Sequence, residues 1–286
     1  MKRAFFNRAF FYGALLQLSC VAGLLLPVGL LSSCRETVDC GGCTPPPSVI
    51  DNSLKVKRIT WAETDFQEYT YNDKGLLTKY VSQWLFVMGT DQVKRVESAF
   101  EYDRLGKITR LVTDNLYEVK YYYNGPVLEK SEEYDHKGRL AVTHYYKFSP
   151  GHQPLEIRDV ITDPTEGNRV TGELKHVYEY DNRGNNIVQK EYVKDLNTGK
   201  FALNLSVHFD GFDTHKCVEN ATALSPYVPH ARRWTNNYAS RTLKDKDGKV
   251  VQTPQLYTFE YNEAGYPVRK TMGNANVTIR ATVAYE

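Results

Sequence analysis

Two groups of residues in this chain have the types that could do chemistry. His208, Asp210, Asp213 and His215 lie within eight positions, and imidazole with carboxylate suits several divalent ions. Their spacing matches no metal motif, and the same residues serve as turn formers. Cys217 follows at once, with His208, His215 and His230 near it in sequence. A lone thiol there is either reactive or a small buried residue. Glu132 and Glu133 are a pair of adjacent carboxylates, but neighbours on a strand face opposite sides. Gly-x-Ser-x-Gly, His-Glu-x-x-His, a Walker-type loop and a dinucleotide fingerprint are all missing from the sequence. The reading is therefore non-catalytic, with no metal and no cofactor.

The elements that would have to position such residues are hairpins. Tyr134-Asp135-His136-Lys137-Gly138-Arg139-Leu140 has imperfect copies at Tyr71-Asn72-Asp73-Lys74-Gly75, Tyr102-Asp103-Arg104-Leu105-Gly106, Tyr180-Asp181-Asn182-Arg183-Gly184 and Tyr261-Asn262-Glu263-Ala264-Gly265. Asp or Asn opens a type I turn by bonding to the backbone two residues on, and Gly supplies the left-handed position that closes it. The turn positions are thus Asn72 and Gly75, Asp103 and Gly106, Asp135 and Gly138, Asp181 and Gly184, Asn262 and Gly265. Aromatic residues two apart before each turn, such as Phe100 and Tyr102 or Tyr178 and Tyr180, share one strand face. These tyrosines read as a stacked structural face rather than a binding surface.

Tyr-x-Tyr-Asp-x-x-Gly-Arg-Leu resembles the YD repeat of RHS-type proteins. The copy at 134–140 matches it with Glu132 in place of the first aromatic, and the other copies lose Arg-Leu. The resemblance covers about 54–286 and implies hairpin architecture, with no activity attached to it. The expected fold is all-β, a meander of antiparallel hairpins forming one curved sheet or an open barrel. The repeats are too few and too uneven for a shell enclosing a cargo. Two segments depart from the strand pattern: 159–172 is turn-rich, and 210–241 is a long irregular excursion. Long ordered loops are often functional. Tyr227, Arg232, Arg233, Trp234 and Tyr238 are the candidate recognition surface there, the alternative being that Trp234 and Tyr227 cap the end of the sheet.

Ahead of the β region, Lys2, Arg3 and Arg8 precede an apolar run from about Ala14 to Leu31 that ends in Leu31-Ser32-Ser33-Cys34. This is the layout of a secretory signal. The last four residues resemble the lipobox of bacterial lipoproteins, which implies a signal peptide over 1–33 and acylation of Cys34. An uncleaved anchor is the competing reading, because the run approaches spanning length. Residues 34–52 read as a tether, stiffened by Pro45-Pro46-Pro47. Cys40-Gly41-Gly42-Cys43 has no second pair for zinc, and reads as a local disulfide or plain linker. Residues 53–286 form the β domain. With the YD turns, this start makes the chain resemble the YD-repeat-like lipoproteins of Bacteroidota.

Cleavage also changes the charge. It removes three basic residues and no acidic ones, taking the 36 Lys plus Arg to 33 against 34 Asp plus Glu. A near-neutral domain excludes the basic surplus that nucleic-acid binding needs. The expected partners are the lipid bilayer, through Cys34, and a glycan or envelope protein. The expected place is the outer membrane or cell surface of a Gram-negative bacterium. The expected role is a membrane-anchored envelope lipoprotein acting as a binding or scaffold module, with a hydrolase of envelope or dietary polysaccharide as the alternative.

Overall fold

The computed structural model describes residues 54–85, 92–163, 165–217, 233–274 and 277–286. Cys34, the tether, Tyr227 and Arg232 lie outside them. Sixteen strands follow in order: β1 (Val56–Ala62), β2 (Asp65–Tyr71), β3 (Leu77–Leu85), β4 (Val93–Tyr102), β5 (Ile108–Thr113), β6 (Tyr117–Asn124), β7 (Val127–Asp135) and β8 (Leu140–Phe148). They continue with β9 (Pro154–Asp163), β10 (Arg169–Tyr180), β11 (Asn186–Lys194), β12 (Phe201–Asp210), β13 (Ser240–Asp245), β14 (Gln255–Tyr261), β15 (Pro267–Gly273) and β16 (Thr278–Tyr285). Each pairs antiparallel with its sequence neighbour, and β16 returns to β1, so the sheet closes on itself. No helix of the described residues is long and apolar enough to cross a membrane, which says nothing of a barrel.

The all-β meander of hairpins is as expected from sequence; closure goes one step beyond the curved sheet or open barrel, and its cause is the number of hairpins. Only five carry the YD signature; the others turn with different residues. Residues 159–172, expected to be turn-rich, are instead the ends of β9 and β10 around a short turn. Val160, Ile161 and Val170 carry the strands, and Gly172 sits against Ile161. The five YD turns share one geometry. In each, the Asn or Asp Oδ1 accepts the backbone N–H two and four residues on, as Asp135 does from Lys137 and Arg139 at 2.9 and 3.0 Å. Asn72, Asp103, Asp181 and Asn262 repeat the pattern. The glycine takes φ between +72° and +85° in all five. Asp245 to Gly248 adds a sixth copy that the sequence hid, because Lys244 stands where tyrosine would.

Antiparallel order puts alternate turns on opposite rims. The turns at 72–75, 103–106, 181–184 and 262–265 share one rim, the base, where Lys55 and Glu286 also exchange backbone hydrogen bonds. The copy nearest the YD consensus, 134–140, lies on the other rim, the mouth. At the base a tyrosine recurs as a latch. Tyr71, Tyr102, Tyr180 and Tyr285 each donate a hydroxyl to the carbonyl of the first residue of the preceding strand, at 3.1, 2.7, 2.8 and 2.6 Å. Above the latches, Tyr69, Leu77, Phe100, Ile108, Leu111, Val119, Tyr121, Tyr146, Ile157 and Tyr178 fill the lower lumen. Burying so many large apolar side chains, at roughly 25 cal/mol per Å² of apolar surface, is the main stabilisation of the wall.

Candidate functional site

The described parts of the segment expected to be a recognition loop, 210–217 and 233–241, pack on the base instead. Arg233 and Trp234 are each 1% exposed and Tyr238 is 3% exposed, so they form no surface strip. Trp234 packs on Phe209 and Tyr238, and its indole N–H donates to the Asn186 carbonyl at 3.1 Å. Asn185 pins the returning chain, its Oδ1 accepting the backbone N–H of Thr235 and Asn236. Physically, a Trp with few charged neighbours buries more apolar area as a plug than as an exposed platform. The capping alternative describes Trp234. Half of the His and Asp cluster, Asp213 and His215, is drawn into the same cap, whereas His208 and Asp210 stay on β12. Asp213 accepts the Tyr261 hydroxyl and the Asn237 amide, and the His215 ring stacks on Tyr261 at 3.9 Å. Among the described residues no group of three or more His, Cys, Asp or Glu could hold a metal. Cys217 lies half-buried beside it.

A different charged group occupies the lumen. Glu132 and Glu133 do face opposite sides: Glu132 points outward to Tyr134 and Lys130, whereas Glu133 points inward and is 2% exposed. From Glu133 on β7 a chain of charges crosses three more strands. His144 on β8 lies 3.8 Å from Glu133 through Nε2 and 2.8 Å from Asp159 on β9 through Nδ1. The second oxygen of Asp159 meets His176 Nε2 on β10 at 3.2 Å. The register sets this row directly, since Ser131 and His144, His144 and Asp159, and Asp159 and Leu174 are cross-strand partners.

Burial opposes the charged form of His144, but Asp159 and Glu133 outweigh it and push the imidazole up to about 10. Burial works the same way on His176, and Asp159 again raises it. Burial would raise Asp159, yet both imidazoles hold it well below the usual carboxylate range. Asp159 thus lies between two imidazoles, one on each carboxylate oxygen, and it favours the charged form of both. Such a row locks four strands in register and leaves neither Asp159 oxygen free as a general base. Sequence could not find it: the four residues are spread over 44 positions, in four hairpin arms whose inward phase depends on bulges.

The outer wall is built differently. Arg58 with Glu68, Lys79 with Glu97, Arg110 with Glu101 and Glu118, Lys130 with Glu132, Lys147 with Glu156 and Arg158 with Glu173 are ion pairs of 2.5 to 3.1 Å on its outward face. Arg269 pairs with Glu260 to continue the belt on the far side. Arg58 with Glu68, Lys79 with Glu97, Lys130 with Glu132 and Arg158 with Glu173 sit within the strands, whereas Lys147 with Glu156 and Arg269 with Glu260 lie nearer strand ends.

No family model matches the chain, and no curated protein matches it in sequence. Among solved structures it is similar to a porin-like protein from Bacteroides uniformis, at 12% identity and a TM-score of 0.53, over 82% of this chain and 95% of that one. It is also similar to a porin-like protein from Bacteroides vulgatus, at 11% identity and a TM-score of 0.54, over 81% and 99%. At such identity the likeness shows the fold alone: an antiparallel all-β barrel.

Proposed function

We propose that the chain is a lipid-anchored, non-catalytic binding module of the outer membrane or cell surface, a YD-repeat barrel that stands in water rather than in the bilayer. The observation that carries this is the belt of ion pairs. A membrane barrel presents an outward apolar band about 25 Å tall, and one Arg or Lys on that face costs roughly 2–4 kcal/mol at the midplane. Here the outward face from β1 to β10 carries charged pairs strand after strand. They are set among apolar residues such as Phe66, Val81, Val112 and Val160, and the Arg58 guanidinium lies over the Phe66 ring. The porin-like neighbours therefore share the closed sheet, while the wall chemistry of this chain suits an aqueous envelope compartment. The Leu31-Ser32-Ser33-Cys34 start supplies the attachment.

The test is radiolabelled palmitate incorporation with membrane fractionation. The natural chain is expected to carry label and to sediment with membranes; Cys34→Ala is expected to lose the label and appear in the soluble fraction. A Cys34→Ala chain that stays with membranes through a carbonate wash would remove the lipid-anchor reading.

A further inference from the structure

The mouth of the barrel, on the rim opposite the capped base, carries a group of aromatic and polar side chains that stay partly exposed. Trp61 occupies the bulge of β1, where the register slips between Thr60 and Ala62, and packs on the inner apolar cluster while staying partly exposed. On β2, Asp65 pairs with Ala62 and lies on the same face as the inward Gln67. On β3, Ser82 pairs with Gln67, and the next inward position is Trp84. Phe66 pairs with Gln83, so one further step of the ladder sets Asp65 beside Trp84. Three neighbouring strands thus bring two indoles, a carboxylate and a hydroxyl to one stretch of the inner rim.

Trp61 packs on the inner apolar cluster with one side only partly covered, while Asp65 and Trp84 are not used by the wall among the described residues. The Asp65 carboxylate makes no hydrogen bond or ion pair with the described residues, although burial pushes it above its ordinary value. Trp84 is half-buried, outside the apolar clusters, and its indole N–H has no acceptor among the described residues. Elsewhere in this molecule a buried indole is tied down, as Trp234 is to Asn186. An acceptor without donors and an indole without an acceptor, side by side at an opening, are complementary to a ligand that offers hydroxyl groups and an apolar face.

We propose that this rim is a binding site for a neutral pyranose oligosaccharide, with Trp61 and Trp84 stacking on sugar faces and Asp65 accepting sugar hydroxyls. The electron-rich indole face attracts the slightly positive C–H bonds of a pyranose ring, and the indole N–H adds a donor. Asp65 disfavours an acidic sugar, because a uronate would meet its carboxylate. An organic cation is the rival occupant for a carboxylate between aromatic rings. Lys94, the cross-strand partner of Trp84, counts against it by placing an ammonium on the same ladder. The proposal rests on the reading of the chain as a binding module but not on its lipid anchor, so the two fail separately.

The experiment is calorimetry with the detergent-solubilised mature lipoprotein and linear gluco-, manno- and galacto-oligosaccharides of six units, with glucuronate oligomers and choline beside them. At least one neutral series is expected to bind. Trp84→Ala and Trp61→Ala are each expected to weaken it about tenfold or more, and Asp65→Asn to weaken it less. Melting temperatures are expected to stay unchanged for Trp84→Ala and Asp65→Asn and to fall for Trp61→Ala, which also loses its packing on the inner cluster. Trp84→Phe separates stacking from folding and is expected to retain most of the affinity. Silence towards all neutral series, equal binding by the Trp61→Ala/Trp84→Ala double variant, or binding of choline alone would each overturn the assignment.

Discussion

Replacing His144 by Gln removes the centre of the lumen charge row and gives a stability effect with a definite pH signature. The folded value of about 10 stands against an ordinary 6.5. At about 1.4 kcal/mol per pH unit, that gap corresponds to at most about 5 kcal/mol, counted once for the coupled His144 and Asp159 pair. The folded pKa is raised, so this contribution is complete below pH 6.5 and is lost as pH climbs towards 10. Asp159 has the opposite sign: its folded pKa is lowered, and its contribution is lost as pH falls below 3.8. The natural barrel should therefore be most stable between about pH 4 and 6.5. Between pH 6.5 and 9.5 it should lose about 4 kcal/mol, or roughly 8–16 °C in melting temperature for a barrel of this size. His144→Gln should melt lower at pH 6 and change much less over the same interval. Circular dichroism melts of both proteins at half-unit pH steps read this directly. A natural protein with a flat profile from pH 6 to 9.5 would show that His144 is not held as an imidazolium.

Other parts of the structure give sharper single-site expectations. Trp234→Ala should destabilise by about 3–5 kcal/mol through the cavity left in the base cap, seen in urea denaturation. Tyr102→Phe, which deletes the latch to the Leu77 carbonyl, should lower stability by about 1 kcal/mol in the same assay. Gly211→Ala places a Cβ 2.8 Å from that of Ala239 at φ +71° and should cost more than Gly138→Ala, whose Cβ meets nothing within 4 Å. Arg110→Ala, about 40% exposed, should change stability by less than about 1 kcal/mol despite its two carboxylate partners.

The turns were legible in sequence because the Asx–Gly pair is a local device, complete within five residues. The strands were legible from alternation. Closure was not, since it depends on hairpins such as 163–169 and 195–200 that turn without a tyrosine, and on the meeting of Val56 with Tyr285. The recognition loop was misplaced for a related reason. An aromatic-rich, proline-broken segment has the same composition whether it faces water or plugs a barrel, and only Asn185, fifty positions away, decides which. Trp61 and Asp65 had no sequence signal at all, because a one-residue bulge sets which way the first indole turns.

The central claim, a closed barrel whose outer wall faces water, is tested most directly by purifying the Cys34→Ala chain without any detergent. The account predicts a monodisperse protein with a β-sheet spectrum and a cooperative melt. A chain that aggregates in buffer and regains that spectrum only in detergent micelles would contradict it, and would put the ion-pair belt against lipid after all.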